Sequence, residues 1–263
     1  MSPANFDRLE RRLRLTGELV ARTGLRIGSG GGGALDGSQL PVLRDRDGYP
    51  FLPGGSLKGT LRSTIEGILR GAALPPAAKL SACDPHAKDA CGYHQSNTRA
   101  AAEKKIVGAC AVCCLFGSHV LASHVRFTDA AVVAEHRAGP IPIEIRDAVA
   151  IDRDLRTATD GRKYDFEVVS PGTRFVVEVF VDNPQDWSMG LLALGFDQLD
   201  AGFTVLGGFG SRGLGRVEFR WTGVREHTAH DLLRNTHVGT ALDPDTCLSR
   251  WRDALARRAE ERP

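Results

Sequence analysis

Apolar and polar residues alternate in two well-separated stretches of the chain. Residues 13–27 carry apolar side chains at every second position of their first half, and residues 173–181 do so throughout. A period of two places the apolar side chains on one face, so both stretches are predicted to be half-buried β-strands. A further strand is expected near 124–133. Residues 40–52 are predicted to form a short hairpin that turns at Asp45-Arg46-Asp47-Gly48.

Three other stretches have helical spacing. Residues 56–71 carry apolar side chains three or four positions apart, and Gly71 ends the pattern. Helices are also predicted over 185–200 and, as a charged amphipathic C-terminal helix, over 245–263. The regions between these elements, residues 77–114 and 134–165, show no sustained period. Strands and helices without a regular alternation predict an α+β fold with insertions.

Composition narrows the class of protein. Of the 263 residues, 42% are hydrophobic and 25% are charged, and the net charge is only +2. These values are typical of a globular protein and exclude a uniformly basic nucleic-acid coat. No apolar run approaches the roughly 20 residues that span a bilayer, and the N-terminus lacks a signal-peptide pattern. We therefore expect a cytoplasmic protein without a membrane partner, whose six cysteines are thiols or metal ligands rather than disulfides.

The first glycine-rich segment with candidate chemistry is Pro53-Gly54-Gly55-Ser56-Leu57-Lys58-Gly59, where a tight turn opens into the helix 56–71. A helix start presents free backbone amides and a positive dipole end, and Ser56 and Lys58 add a hydroxyl and a charge. A nucleotide-hydrolysing P-loop requires Ser or Thr directly after its lysine, whereas Gly59 follows Lys58 here. The predicted anion is therefore a polynucleotide backbone rather than a nucleoside triphosphate.

A second glycine-rich segment spans residues 207–216 and continues into a strand-like sequence. Glycines let a backbone approach a ligand closely, and Arg212 and Arg216 provide guanidinium groups that suit phosphate. Either segment alone is more typical of a flexible turn than of a binding site. The two together favour a phosphate-binding surface.

The cysteines predict a structural metal site. Cys110-x-x-Cys113 places two thiolates on one tight turn, and a second pair of cysteines lies about twenty residues upstream. Four thiolates leave no open coordination position, which is the property of a structural zinc site. The predicted ligands are Cys83, Cys91, Cys110 and Cys113. His86 and His94 are alternative ligands, and a set of unligated buried cysteines is the alternative to a metal.

In their order along the chain these segments resemble the RAMP superfamily, specifically the repeated backbone subunit of type III and related CRISPR effector complexes. The resemblance covers roughly residues 13–222 and rests on residues 23–28, 40–45, 48–59, 110–117, 151–153, 164–169 and 207–216. It implies a single domain over 1–263 with a ferredoxin-like, modified RNA-recognition core. It also implies a zinc lobe inserted at 74–118 and a β-hairpin thumb inserted at 134–168.

The function that this resemblance implies is binding of guide RNA (crRNA) and positioning of complementary target RNA. Copies of the subunit would polymerise head-to-tail along the guide, with other effector subunits and a separate nuclease, as in type VII systems, as further partners. The predicted RNA contacts are Ser56, Lys58, Arg62, Arg153, Arg156, Lys163, Arg212 and Arg216. On the thumb, Ile151, Leu155 and Tyr164 are expected to wedge against bases, with core packing as the alternative for Ile151 and Tyr164.

Cleavage of the target is not expected from this chain. Cleaving members of the family carry an aspartate two residues before a proline, and the corresponding residue before Pro41 is Gln39. An amide can neither act as a general base nor hold a cation as a carboxylate does. Asp36, three residues upstream, leaves open the alternative of a Mg²⁺-dependent endoribonuclease that cuts target RNA at regular intervals.

Overall fold

The computed structural model describes residues 8–29, 38–88, 90–91, 108–234 and 238–261. Its main sheet is formed by β1 (Arg11–Ala21), β3 (Val125–Phe127), β7 (Arg174–Asp182), β8 (Val217–Thr228) and β9 (Thr240–Leu242). These strands are antiparallel and lie in the order β3-β7-β1-β8-β9. The mixed architecture with antiparallel sheets is consistent with the predicted α+β class.

Two smaller ladders and six helices complete the described elements. β2 (Phe51–Leu52) pairs with β4 (Ala130–Ala131), and β5 (Ile143–Ile151) pairs with β6 (Ala158–Val169). The helices are α1 (Gly54–Gly71), α2 (Ala111–Phe116), α3 (Ala134–Arg137), α4 (Asp186–Asp200), α5 (Ala229–Leu233) and α6 (Pro244–Ala259). Within the part of the chain that the structure describes, no helix is both long and apolar enough to cross a bilayer.

The hydrophobic core lies between one face of the main sheet and helices α1 and α4. Leu15 and Leu19 of β1 are fully buried in one cluster with Ile65 of α1 and Phe196 of α4. A side chain at Gly195 of α4 would press on Ile65, so this glycine lets the two helices approach each other. The alternation of β1 and the helical spacing of α1 therefore meet in the same core, as both patterns predict.

The opposite face of the main sheet is covered by ion pairs between neighbouring strands. Arg12 and Arg14 of β1 pair with carboxylates of β7, and Arg174 of β7 pairs with Glu18 of β1. Cross-strand pairs of opposite charge stabilise an antiparallel sheet. These three arginines are thus already paired within the protein.

Several sequence predictions need correction. The strand predicted over 13–27 ends at Ala21, because the next amides bond to the Arg216 carbonyl instead of continuing the ladder. The predicted turn at 45–48 forms, but the predicted hairpin 40–52 reduces to an isolated bridge between Arg44 and Pro50. The pattern showed no regular structure over 134–165, yet β5 and β6 form there. Several apolar side chains of β5 are exposed, so the usual alternation of a half-buried strand is lost.

The predicted long helices are found close to their expected bounds. The prediction 56–71 corresponds to α1 at Gly54–Gly71, and 185–200 corresponds to α4 at Asp186–Asp200. The C-terminal helix predicted from 245 begins one residue earlier and ends at Ala259. Long amphipathic patterns with clear end signals therefore located these elements well.

Candidate nucleic-acid interface

The two glycine-rich segments face each other across an open groove of about 640 Å³. One wall is the start of α1, including Ser56, and the other is the loop containing Gly207 and Gly208. Arg26 and Gly28, which follow β1, lie at the same groove. The structure therefore brings together two segments that are far apart in the sequence and that were each expected to bind phosphate.

The α1 wall of the groove is bare backbone. Gly55 and Gly59 are exposed and lie one turn apart, and a Cβ at either position would meet nothing within 4 Å. Packing inside the protein therefore does not require glycine at these positions. A glycine inside a helix costs about 1 kcal/mol relative to alanine. The open surface is consistent with close approach of a ligand to the helix backbone.

The opposite wall depends on glycine for its own geometry. Gly207 has a φ of +82°, and a Cβ there would overlap the Arg26 carbonyl oxygen. The amide of Gly208 donates to that same oxygen at 2.8 Å. The loop is thus fixed directly against residue 26, which holds the Arg26 side chain beside the groove.

Arg26, two positions before Gly28, was not among the RNA contacts predicted from the sequence. Its Nε is buried without a hydrogen-bond partner in the described residues, and its Nη2 donates to the Leu40 carbonyl at a long 3.5 Å. A Cβ at Gly28 or Gly208 would lie 2.9 Å or 3.5 Å from Nη1. The signal that could have found Arg26 is a basic residue flanked at two positions on either side by glycine, in Gly24-Leu25-Arg26-Ile27-Gly28.

The Phe209 ring packs against the guanidinium groups of two arginines at this site. The guanidinium carbons of Arg26 and Arg212 lie 4.9 Å and 4.7 Å from the centre of the Phe209 ring. Arg212 also donates to the hydroxyl of Tyr164 on β6. Across the described residues, neither these two arginines nor the exposed Arg216 has a carboxylate within 4.0 Å. Cations without a protein counter-charge are suited to a polyanion.

Two of the three RNA contacts predicted on α1, Lys58 and Arg62, form hydrogen bonds with other residues of the protein. Asp129 accepts a 2.8 Å hydrogen bond from the Gly54 amide, so a carboxylate already occupies part of the helix start. The Lys58 ammonium donates to the Ser123 hydroxyl at 2.8 Å, and burial lowers the pKa of Lys58. Arg62 bonds to Glu66, to the Gly117 carbonyl and to the Cys113 sulfur. Of the three residues predicted on α1, Ser56 is the one that lines the groove.

The predicted thumb residues lie on the β5–β6 hairpin. Ile151 and Leu155 are 64% and 73% exposed, so neither is a core residue. Arg153 and Arg156 are exposed at the hairpin turn, and Lys163 pairs with Asp147 at 3.1 Å. Apolar and basic side chains are therefore presented together at the tip of the hairpin.

The base of the hairpin packs on the groove loop. Phe166 of β6 contacts Phe209 edge-on at a ring distance of 5.0 Å, and Tyr164 packs beside it half-buried. Leu214 of the glycine-rich segment belongs to the same small hydrophobic cluster as Phe166. The hairpin is thus attached to the arginine-bearing loop.

The four predicted cysteines form one cluster. The sulfur atoms of Cys83, Cys91, Cys110 and Cys113 all lie within 4.8 Å of one another, and those of Cys83 and Cys113 are 3.6 Å apart. A tetrahedral zinc ion with Zn–S bonds of about 2.3 Å separates its sulfur ligands by about 3.8 Å, so the arrangement fits a closed four-thiolate site. His86 is outside this group, and His94 lies outside the described residues.

Backbone amides point at two of the sulfur atoms in the cluster. The Cys110 amide donates to Cys91 Sγ at 3.2 Å, and the Cys113 amide donates to Cys110 Sγ at 3.4 Å. A hydrogen bond from the Cys113 side chain lowers the pKa of Cys110 to about 5, while burial raises the pKa of Cys91 to about 11. Cys114 instead donates to the Ala109 carbonyl and is separate from the group. One thiolate thus forms readily, and a cation is needed to hold four.

Gln39, one of the two residues considered for cleavage, lies near the hairpin base. The backbone amide of Gln39 donates to Asp165 Oδ1 of β6 at 2.7 Å. The next residue, Leu40, lines the groove. Asp36, the alternative catalytic residue, lies outside the described residues. The described geometry therefore locates Gln39 but gives no position for Asp36.

Curated relatives and a family model agree with this arrangement. Proteins named CRISPR system Cms endoribonuclease Csm3 are similar over most of this chain. The one from Methanocaldococcus jannaschii is 28% identical over 222 residues, which cover 81% of this chain and 80% of that protein. The one from Methanothermobacter thermautotrophicus is 26% identical and covers 83% and 88%. The one from Enterococcus italicus is 28% identical and covers 79% and 89%.

The family model that matches is that of the RAMP superfamily, over residues 18–218. This range begins within β1 and ends in β8, and it includes both walls of the groove, the hairpin and the four cysteines. The chain belongs to the RAMP superfamily.

Proposed function

We propose that this protein is a backbone subunit of a CRISPR effector complex that binds guide RNA along the groove and positions complementary target RNA. The observation that carries the proposal is the meeting of both glycine-rich segments with the unpaired Arg26 at one open groove. Bare glycine backbone admits a sugar-phosphate chain, and the arginines offset its charge. The names of the similar proteins place those relatives in a CRISPR system, which supports the same role here.

Recognition would not require the protein to read bases. Phosphate contacts fix the register of the guide, and pairing between guide and target supplies specificity. Ser56, Arg26, Arg212 and Arg216 are the residues of the groove and its loop that we assign to the guide backbone. The roles predicted for Arg153, Arg156 and Lys163, and for the wedge residues on the hairpin, stay predictions, as do those of Lys58 and Arg62.

We further propose that the core is ferredoxin-like. The elements β1, α1, β3, β7, α4 and β8 follow one another as β-α-β-β-α-β, interrupted by the smaller elements. In the sheet these four strands lie in the order β3-β7-β1-β8, so the first and third strands are central. In the same proposal the β5–β6 hairpin is the thumb, and the four-cysteine cluster binds structural zinc.

Zinc would be held by Cys83, Cys91, Cys110 and Cys113, and its bonds would stabilise the segment that carries them. Magnesium belongs only to the cleavage alternative. Copies of the subunit would associate head-to-tail along the guide, because a repeated heterologous contact need not close into a ring. Other effector subunits would complete the complex.

The second candidate function is a guide-directed endoribonuclease, favoured by the word endoribonuclease in the names of all three relatives. Gln39 argues against it, because an amide supplies neither a base nor an anionic ligand. Incubating the assembled complex with guide-complementary RNA and Mg²⁺ separates the two. We expect intact target, whereas regularly spaced cuts that disappear in Asp36→Ala would establish the nuclease.

The binding role is tested by co-expression with a CRISPR repeat array and the partner subunits. We expect the purified complex to retain protected RNA derived from the array, identified by its length and sequence. Protein that is free of RNA at low salt, with every partner subunit present, would contradict the proposed function.

A further inference from the structure

The Arg62 side chain joins α1 to the cysteine cluster. Its Nη2 donates to Cys113 Sγ at 3.5 Å and its Nη1 donates to the Gly117 carbonyl at 3.0 Å. Its Nε donates to Glu66 Oε1 at 2.8 Å. The planar guanidinium thus spans the second half of the short helix α2, from a sulfur inside it to the residue that follows it.

A four-thiolate metal site needs such a partner. Four thiolates around a divalent ion leave two negative charges in excess, in a place where Cys91, Cys110 and Cys113 are buried. Uncompensated charge away from water is costly. The Arg62 guanidinium is the cation that the described structure brings into hydrogen-bond contact with one of these sulfurs.

We infer that Arg62 is a positioning residue of the metal centre, where it holds the Cys113 thiolate and offsets the charge of the four-sulfur site. This inference rests on the metal site of the proposed function and replaces the predicted RNA contact of Arg62. Groups that donate hydrogen bonds to metal ligands orient them and tune affinity, and their loss typically lowers metal affinity about 10- to 100-fold.

The chain offers a matched control on the same helix. Arg70 also pairs with Glu66, at 3.0 Å through Nη2, and among the described residues it makes no hydrogen bond to a cluster sulfur. Glu66 is 7% exposed and keeps one arginine in either single variant. Arg62→Met and Arg70→Met each remove one arginine pairing of Glu66, and Arg62→Met alone also removes the hydrogen bonds to Cys113 Sγ and to the Gly117 carbonyl.

The experiment measures zinc affinity of full-length protein by competition with a chromogenic chelator. We expect Arg62→Met to bind zinc at least 10-fold more weakly than wild type, and Arg70→Met to stay within about twofold. With Co²⁺ in place of zinc, the thiolate-to-metal charge-transfer band should shift in Arg62→Met and remain in place in Arg70→Met. Guide-RNA affinity, measured at saturating zinc, should be the same in both variants.

Equal zinc affinity in the two variants would overturn the inference, and so would a loss of RNA affinity in Arg62→Met at saturating zinc. If Arg62→Met does not fold, Arg62→Lys takes its place. It keeps the charge but cannot span Cys113 and Gly117, so we expect a weaker but measurable loss of zinc affinity. Failure of wild-type protein to bind guide RNA would sink the proposed function and leave the zinc comparison standing.

Discussion

The two flanks of helix α1 make a useful comparison. The groove flank, with Gly55, Ser56 and Gly59, faces open space, and its glycines have no packing role that the structure reveals. The metal flank, with Lys58 and Arg62, is bonded to side chains and carbonyls of the segment 113–125. Two flanks of one short motif thus serve different partners. Positive charge in a motif does not reveal its partner, because that partner is set by the element packed on that flank.

The largest expected effect comes from removing a sulfur ligand of the cysteine cluster that contacts the metal flank. Cys113→Ser should abolish zinc binding and lower the free energy of unfolding by about 4 kcal/mol, or roughly 10 °C in Tm. Cys114→Ser is the control, since Cys114 lies next in α2 and bonds to a carbonyl that a hydroxyl also satisfies. Thermal unfolding with and without chelator measures both. A chelator-insensitive wild type would contradict the metal assignment.

The next largest effect is expected on guide-RNA binding, when the arginines of the loop opposite the groove flank are reversed in charge. Reversing both Arg212 and Arg216 to glutamate should weaken guide-RNA binding on the order of 100-fold and reduce the salt dependence of binding by about one phosphate contact or more. Reversing both Arg234 and Arg257 to glutamate, at exposed positions after α5 and on α6, is the matched control and should change affinity less than twofold. Equal losses in both proteins would show that only overall charge matters.

A smaller effect tests the bare backbone directly. Gly59→Ala should weaken RNA binding roughly fivefold, about 1 kcal/mol, because a methyl group holds the strand away from the helix. The same change should raise stability by about 0.5–1 kcal/mol. Gly67→Ala is the control, since Gly67 is exposed on the same helix, also with nothing within 4 Å, and does not line the groove. Undiminished RNA binding in Gly59→Ala would remove the groove flank from the interface.

The smallest effect concerns a paired arginine far from the groove. Arg14→Ala removes one exposed ion pair with Glu178 on the open face of the main sheet. Such pairs contribute about 0–1 kcal/mol, so chemical denaturation should show a change of that size. RNA affinity should stay constant. A drop in affinity would mean that the sheet face, rather than the groove, receives RNA.

The sequence predicted those elements whose pattern lies within a few consecutive turns or strand positions, and it missed features that depend on residues distant in the chain. The alternation that includes Leu15 and Leu19 predicted β1. The four cysteines were identified because a Cys-x-x-Cys pair with a second pair of cysteines upstream is typical of a metal site. Arg26 was not predicted as a phosphate contact, because its place at the groove depends on packing against Phe209, which is distant in the sequence. Lys58 and Arg62 were assigned by motif alone, since their partners lie in a segment without periodicity. Periodicity did not reveal the β5–β6 hairpin, because its apolar residues face solvent, and a hairpin in this region was expected only from the family resemblance.

The ring of Phe209 has a thermodynamic consequence. It contacts Arg26 and Arg212 at the groove and Phe166 at the hairpin base, and its own backbone is held at a φ of +63°. Because one ring contacts both parts, we expect a ligand that favours one orientation of the hairpin also to alter the affinity of the arginines for a phosphate chain. Linkage makes this coupling reciprocal, so a guide strand in the groove must favour that orientation by the same factor.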